Sequence, residues 1–146
     1  MTGVQTCALP ISILGLDGLE YVDKADNAVH RLQAGAVTIN AEVDRIYRKV
    51  ESELVIDDVV LDRRIRITSR GSNTTVVWNP WSKISAEMGD LKDDDYERLL
   101  CVETANADLD VVKIAPGDEF RLAANYRIEG DFSHVLRGIQ PLSMSQ

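Results

Sequence analysis

The sequence predicts an all-β fold, a partial antiparallel β-sandwich with one short surface helix, on the strength of two alternating segments and a spacing. From Glu119 to Glu129, Phe120, Leu122, Ala124, Tyr126 and Ile128 fall on one side of an extended chain. Glu119, Arg121, Asn125, Arg127 and Glu129 fall on the other, which is the pattern of a half-buried strand. Arg64, Arg66 and Thr68 alternate with Ile65 and Ile67 in the same way. Arg70-Gly71-Ser72-Asn73 then supplies turn residues ahead of Thr74 to Trp78, which reads as a hairpin. The other extended segments are short and separated by turn signals, the spacing of a sandwich.

In chain order, further strands are expected at Ser12 to Leu16, Ala36 to Ile39, Asp44 to Val50, Glu53 to Ile56, Leu99 to Glu103 and Val111 to Ile114. Asp17-Gly18, Ala34-Gly35 and Pro116-Gly117 mark turns among them. One helical pattern runs from Ser82 to Leu91. There Ile84, Met88 and Leu91 share a face and Lys83 and Glu87 can pair one turn apart, as in a short surface crossover. The period is lost near Gly130, so residues 130–146 are expected to form a loosely ordered tail.

Hydrophobic residues make up 45% and charged residues 27% of the 146, as in an ordinary globular chain, and this length predicts one domain. A net charge of −8 with scattered basic residues argues against a nucleic-acid surface, which needs clustered Lys and Arg. A single phosphate monoester is still compatible, because one or two local cations or a ring of amides can hold it. No apolar run approaches the ~20 residues of a spanning helix, so no membrane partner is expected.

Met1 to Ile11 contains no Asp, Glu, Lys or Arg and resembles translated sequencing-library adapter. Setting it aside as one sets aside tags leaves 12–129 as the sandwich portion and Cys101 as the sole native cysteine, Cys7 lying in the discarded segment. A lone thiol forms no internal disulfide, which fits a reducing, cytoplasmic setting. Two histidines and one native cysteine show no zinc spacing, and no glycine-rich phosphate loop occurs. The expectation is therefore no metal and no cofactor.

Glu103 is the first candidate for chemistry. It is a lone carboxylate in an apolar strand, where burial costs several kcal/mol unless the group is paired or used. Cys101 lies two residues away on the same strand face, but no neighbouring base activates it, so it reads as a small buried residue. Trp78 and Trp81 flank a rigid Asn79-Pro80. An indole there can stack on a pyranose or fill the core, and core packing is the expectation for both.

Several segments also resemble a family. They are Gly18-Leu19-Glu20-Tyr21-Val22-Asp23-Lys24, Val43-Asp44-Arg45-Ile46-Tyr47, Val77-Trp78-Asn79-Pro80-Trp81, Met88-Gly89-Asp90, Asp94-Asp95-Tyr96 and Cys101-Val102-Glu103-Thr104-Ala105-Asn106. In order and approximate spacing they look like the C-terminal half of the hexose-6-phosphate mutarotases, the glucose-6-phosphate 1-epimerases of the aldose 1-epimerase superfamily. The resemblance covers most of residues 15 to 129. It implies a sandwich of the galactose-mutarotase type and a cofactor-free isomerase acting on a small sugar phosphate. Such an enzyme interconverts α and β anomers of glucose 6-phosphate by general acid/base ring opening.

By the same resemblance Glu103 is the general base, its pKa raised by apolar neighbours, and Asp44 is a substrate-binding carboxylate. Arg45 would face the opposite way from Asp44 and serve a surface ion pair. The family's acid is a histidine ahead of the segment that matches Ile13 onward. His30 and His134 match no motif and read as surface or turn residues. The chain is thus expected to be a truncated portion unable to turn over alone. The competing reading is a non-catalytic carbohydrate-binding sandwich in which Glu103 and Asp44 only hold hydroxyls.

Overall fold

A computed structural model describes residues 4–5, 10–51 and 53–130. Within them the chain forms two sheets in which every pairing is antiparallel. The first contains β1 (Val4–Gln5), β3 (Glu20–Asp23), β4 (Val29–Leu32), β6 (Val43–Arg48), β9 (Thr74–Asn79) and β10 (Leu99–Ala105), in the order β1-β10-β9-β6-β3-β4. The second contains β2 (Ile11–Leu14), β5 (Val37–Thr38), β7 (Leu54–Asp58), β8 (Arg63–Arg70) and β11 (Ala123–Gly130), in the order β11-β8-β7-β2-β5.

Alternation decides which side chains meet between the sheets. Val43 and Tyr47 of β6, Val77 of β9 and Leu100 and Val102 of β10 turn inward. There they join Ile11, Ile13, Leu54, Ile56, Ile65 and Ile67 of the second sheet in one buried cluster. Burying each such side chain contributes about 1.5–3 kcal/mol, so this layer is what holds the sandwich closed. Ile11 belongs to it, so β2 opens one residue before the expected boundary at Ser12.

The hairpin expected around Arg70-Gly71-Ser72-Asn73 does not form. β8 and β9 belong to different sheets, and the turn carries the chain from one to the other. Gly71 allows this: its φ is +76°, and a Cβ there would lie 2.1 Å from the carbonyl oxygen of Arg121. Ser72 donates to the carbonyls of Thr74 and Ala105, while Asn73 donates its backbone N–H (2.8 Å) and side-chain amide (3.0 Å) to Asp110. β8 instead forms its hairpin with β7, where Asp58 and Arg63 are paired at the closed end, and it pairs with β11 on its other side.

Three other expectations need correction. Val111 to Ile114 is not a strand. Just before it, Asp110 accepts from Asn73 and Asn106, which ties the chain to the turn between β8 and β9. The alternating segment from Glu119 pairs only from Ala123, as β11, and it is not half-buried. Its Tyr126 and Ile128 share a face with Ile67 and Ile65, as the pattern requires. But β11 is the outermost strand of its sheet, and Ile128 remains 52% exposed. The helix spans only Trp81–Glu87 (α1), because Met88 turns extended while its N–H closes on the carbonyls of Ile84 and Ser85. The expected tail lies outside the described residues, apart from Gly130, which ends β11.

Asn79 explains why the Trp-Asn-Pro-Trp segment has the form it does. Fully buried, it donates to the carbonyls of Tyr96 (2.8 Å) and Leu99 (2.6 Å) and accepts from the N–H of Trp81 (2.8 Å). It thereby ties the end of β9 to the start of α1 and the start of β10. Asn79→Ala leaves three part-buried backbone groups without that partner and is expected to cost about 3 kcal/mol. Urea unfolding should show this as a lower midpoint at unchanged slope.

Candidate active site

Because Val43, Tyr47, Val77, Leu100 and Val102 turn into the core, their neighbours Asp44, Ile46, Val76, Trp78, Cys101 and Glu103 project from the outer face of the first sheet. The register sets them in rows. Cys101, Trp78 and Asp44 lie side by side across β10, β9 and β6, and Glu103, Val76, Ile46 and Val22 form the next row. Glu103 and Asp44 are thus two strand spacings apart, about 10 Å, and offset by about 7 Å along the strands. The two carboxylates that the sequence singled out share one face, with an indole and two aliphatic side chains between them.

Glu103 is half-buried and makes no hydrogen bond or ion pair among the described residues. Asp44 has 25% of its side chain exposed and pairs with Lys24 at 3.5 Å. Cys101 is nearly covered. Burial, helped by the Glu103 carboxylate nearby, pushes its thiol up to about 11. Such a thiol is almost wholly protonated at neutral pH, which excludes it as a nucleophile there. In a Cys7→Ser background, iodoacetamide should label folded Cys101 far more slowly than an unfolded thiol at pH 8, with the rate rising as pH approaches 11. Rapid labelling at pH 8 would contradict this burial.

The two tryptophans part company. Trp78 projects from the outer face beside Asp44, contrary to the core placement expected of it. Trp81 packs at the margin of the core, its ring 5.1 Å from that of Tyr96. Alternation along β9 alone separates Trp78 from buried Val77, and it was the available signal.

Arg45 does face away from Asp44, but it does not reach a surface ion pair. It lies on the inner side, its guanidinium 4.8 Å above the Tyr21 ring, with Asp23 at 3.8 Å. Tyr47 donates to the Gln33 side-chain oxygen at 2.7 Å, and Arg45 reaches the same oxygen at 3.4 Å. Burial lifts the Tyr47 phenol to about 12, although Arg45 beside it pulls the other way. An uncharged phenol and a stacked cation thus lie directly beneath the Asp44 segment of β6.

His30 lies on β4 in the same row as Glu103 but four strands away, about 19 Å. It contacts Glu20 at 2.8 Å, and Arg48 reaches Glu20 at 3.0 Å and also pairs with Asp108. It is a surface histidine, as expected, while His134 lies outside the described residues. Among the described residues no cluster of three or more His, Cys, Asp or Glu side chains could hold a metal ion, and no helix is long and apolar enough to cross a membrane.

A β-sandwich presenting carboxylates and an indole on the outer face of one sheet is suited to holding a sugar ring. The chain belongs to the aldose 1-epimerase family, whose profile matches residues 9–127. It is 36% identical over 115 residues to a Cenchrus ciliaris protein named "Putative glucose-6-phosphate 1-epimerase", covering 76% of this chain and 35% of that protein. A protein of the same name from Escherichia coli K12 is 34% identical over 119 residues, 81% of this chain and 40% of its own length. The crystal structure of YeaD from Salmonella typhimurium, described as a "putative mutarotase", matches with a TM-score of 0.65 at 32% identity. That match covers 68% of this chain and 34% of YeaD. The chain therefore spans between a third and two fifths of the length of these relatives.

Proposed function

We propose that this chain carries the base-bearing part of a hexose-6-phosphate mutarotase, in which Glu103 is the general base and Asp44 binds the sugar. The observation that carries the proposal is an unpartnered, half-buried carboxylate at position 103 on the same sheet face as Asp44 and Trp78. A carboxylate engaged in a structural ion pair would not be free to accept a proton. Every other strand carboxylate described is so engaged, at Glu20, Asp23, Asp44, Asp57, Asp58 and Glu129.

In this reading the pyranose lies across Val76 and Trp78 with its hydroxyls toward Asp44. Glu103 takes the proton of the C1 hydroxyl while an acid protonates the ring oxygen, and the bond between C1 and that oxygen breaks. Rotation about C1–C2 presents the other face of the aldehyde, and reversal of the proton transfers closes the second anomer. No step requires a metal or cofactor. His30 is too distant to be the acid, and the family resemblance assigns that role to a histidine outside residues 12–146. The sugar phosphate and the cytoplasmic setting rest on the relatives' names and on the free thiol of Cys101.

The 146-residue chain alone is accordingly expected to bind glucose 6-phosphate without accelerating exchange between its anomers, as followed by saturation-transfer NMR. Acceleration above the buffer rate would show that this chain supplies its own acid. Failure to bind the sugar at millimolar concentration would remove the proposed site.

A further inference from the structure

We infer that Lys24 is a sugar-contacting residue that works with Asp44 to read a pair of adjacent hydroxyls. The inference rests on the proposed sugar site and deepens it.

Its backbone position is built rather than incidental. Lys24 begins a single 3-10 turn, Lys24–Asp26, that links β3 to β4, and the next two residues, Asn27 and Ala28, both adopt left-handed φ values of +51° and +58°. Left-handed backbone is unusual for alanine and persists only where the surroundings hold it. Just before the turn, Asp23 is buried on the inner side near Arg45. With Asp23 anchored inward, Lys24 goes to the outer side, and its ammonium stands 3.5 Å from Oδ2 of Asp44.

The chemistry of the pair is suggestive because it is incomplete. An ammonium has three N–H donors. Lys24 directs one of them at Asp44 and is 53% exposed, which leaves its other donors open to a ligand. The other cation in this part of the face, Arg48, is committed to Glu20 and Asp108. A sugar hydroxyl is both donor and acceptor. Vicinal hydroxyls can therefore donate to the Asp44 carboxylate and accept from Lys24, which neither a carboxylate nor an ammonium does alone. In a chain of net charge −8 this local cation also offsets the field that an anionic substrate would meet.

The test measures binding of glucose 6-phosphate and of glucose by chemical-shift titration of the full 146-residue chain and its Lys24→Met, Lys24→Arg and Asp44→Asn variants, with thermal melts as the check on folding. Lys24→Met is expected to weaken both sugars by a similar factor of roughly 10 or more, the usual scale for a charge-assisted hydrogen bond. Its melting temperature should be unchanged, since an exposed ion pair holds little stability. Lys24→Arg should recover part of the loss. If Asp44→Asn weakens binding and Lys24→Met does not, the role of Lys24 is overturned and the site stands. If Lys24→Met weakens only the phosphorylated sugar, Lys24 reads the phosphate and the diol assignment is wrong. If neither variant alters binding, or no binding occurs, both the inference and the sugar site fall.

Discussion

Replacing Glu103 by Gln in a chimera that joins the preceding part of the Escherichia coli relative to residues 12–130 is expected to slow anomer exchange about 10²- to 10⁴-fold. The substitution keeps the shape and polarity of the side chain and removes its capacity to take a proton. Glu103 makes no hydrogen bond or ion pair among the described residues, so no structural partner is lost with its charge. The melting temperature should therefore stay within a degree or two, and the loss should fall on kcat with KM little changed. Asp44→Asn offers the contrast, a rise in KM from weakened hydroxyl binding. Normal exchange in a folded Glu103→Gln chimera would refute the base. A folded but inactive parent chimera would refute the proposed mutarotase function.

The alternation that makes strands was legible in the sequence, while the decision about which strands pair was not. Ile65 and Ile67 announce β8 and Thr74 to Trp78 announces β9, yet nothing in Arg70-Gly71-Ser72-Asn73 distinguishes a hairpin from a crossing between sheets. The distinction comes from the close approach of the Arg121 carbonyl to Gly71, a contact 50 residues away in the chain. The hairpin of β3 and β4 carries no sequence signal for a different reason. Its turn uses Asn27 and Ala28 in left-handed conformations instead of glycine or proline, and every residue of β4 is exposed, so no burial period marks it. β11 shows the converse. Its apolar period is genuine and correctly phased, but an outermost strand has too little opposite it to bury Ile128.

At the site, residue type and strand phase placed Glu103, and the family resemblance placed Asp44. That they lie on one face follows from the register, since β9 aligns Val76 with Glu103 on one side and Trp78 with Asp44 on the other. Arg45 illustrates the limit of phase alone. Alternation correctly sends it away from Asp44, but whether that side is solvent or interior depends on Tyr21, Gln33 and Asp23 brought from another strand and a loop. Lys24 gave no periodic signal, because it stands in a turn.

Asp58→Ala is expected to cost about 3–5 kcal/mol, the usual consequence of stripping the partner from a buried ion. Asp58 is fully buried where β7 ends. One of its oxygens accepts from the Arg63 Nε at 2.9 Å and the other from the Leu61 N–H at 3.2 Å. The Nη2 of Arg63 is already buried without a partner, so alanine at 58 leaves a cation with nothing to balance it. Domains of this size are stable by only about 5–15 kcal/mol, and such a loss takes a large share of that margin. Urea unfolding followed by the fluorescence of Trp78 and Trp81 measures it. The double variant Asp58→Ala/Arg63→Met should recover much of the deficit by removing the stranded charge; no recovery would mean that the turn contact to Leu61, not the ion pair, is what Asp58 supplies. The pair also guards the register. Asp62 closes this turn at φ +47°, and a slip of one residue in β8 would send Arg64 and Arg66 into the core in place of Ile65 and Ile67. β8 leads directly into the crossing at Gly71 that starts β9, the strand carrying Val76 and Trp78 beneath the proposed sugar position. Asp58→Ala should therefore weaken sugar binding in proportion to the fraction unfolded, whereas Glu103→Gln should leave binding intact and remove only the proton transfer.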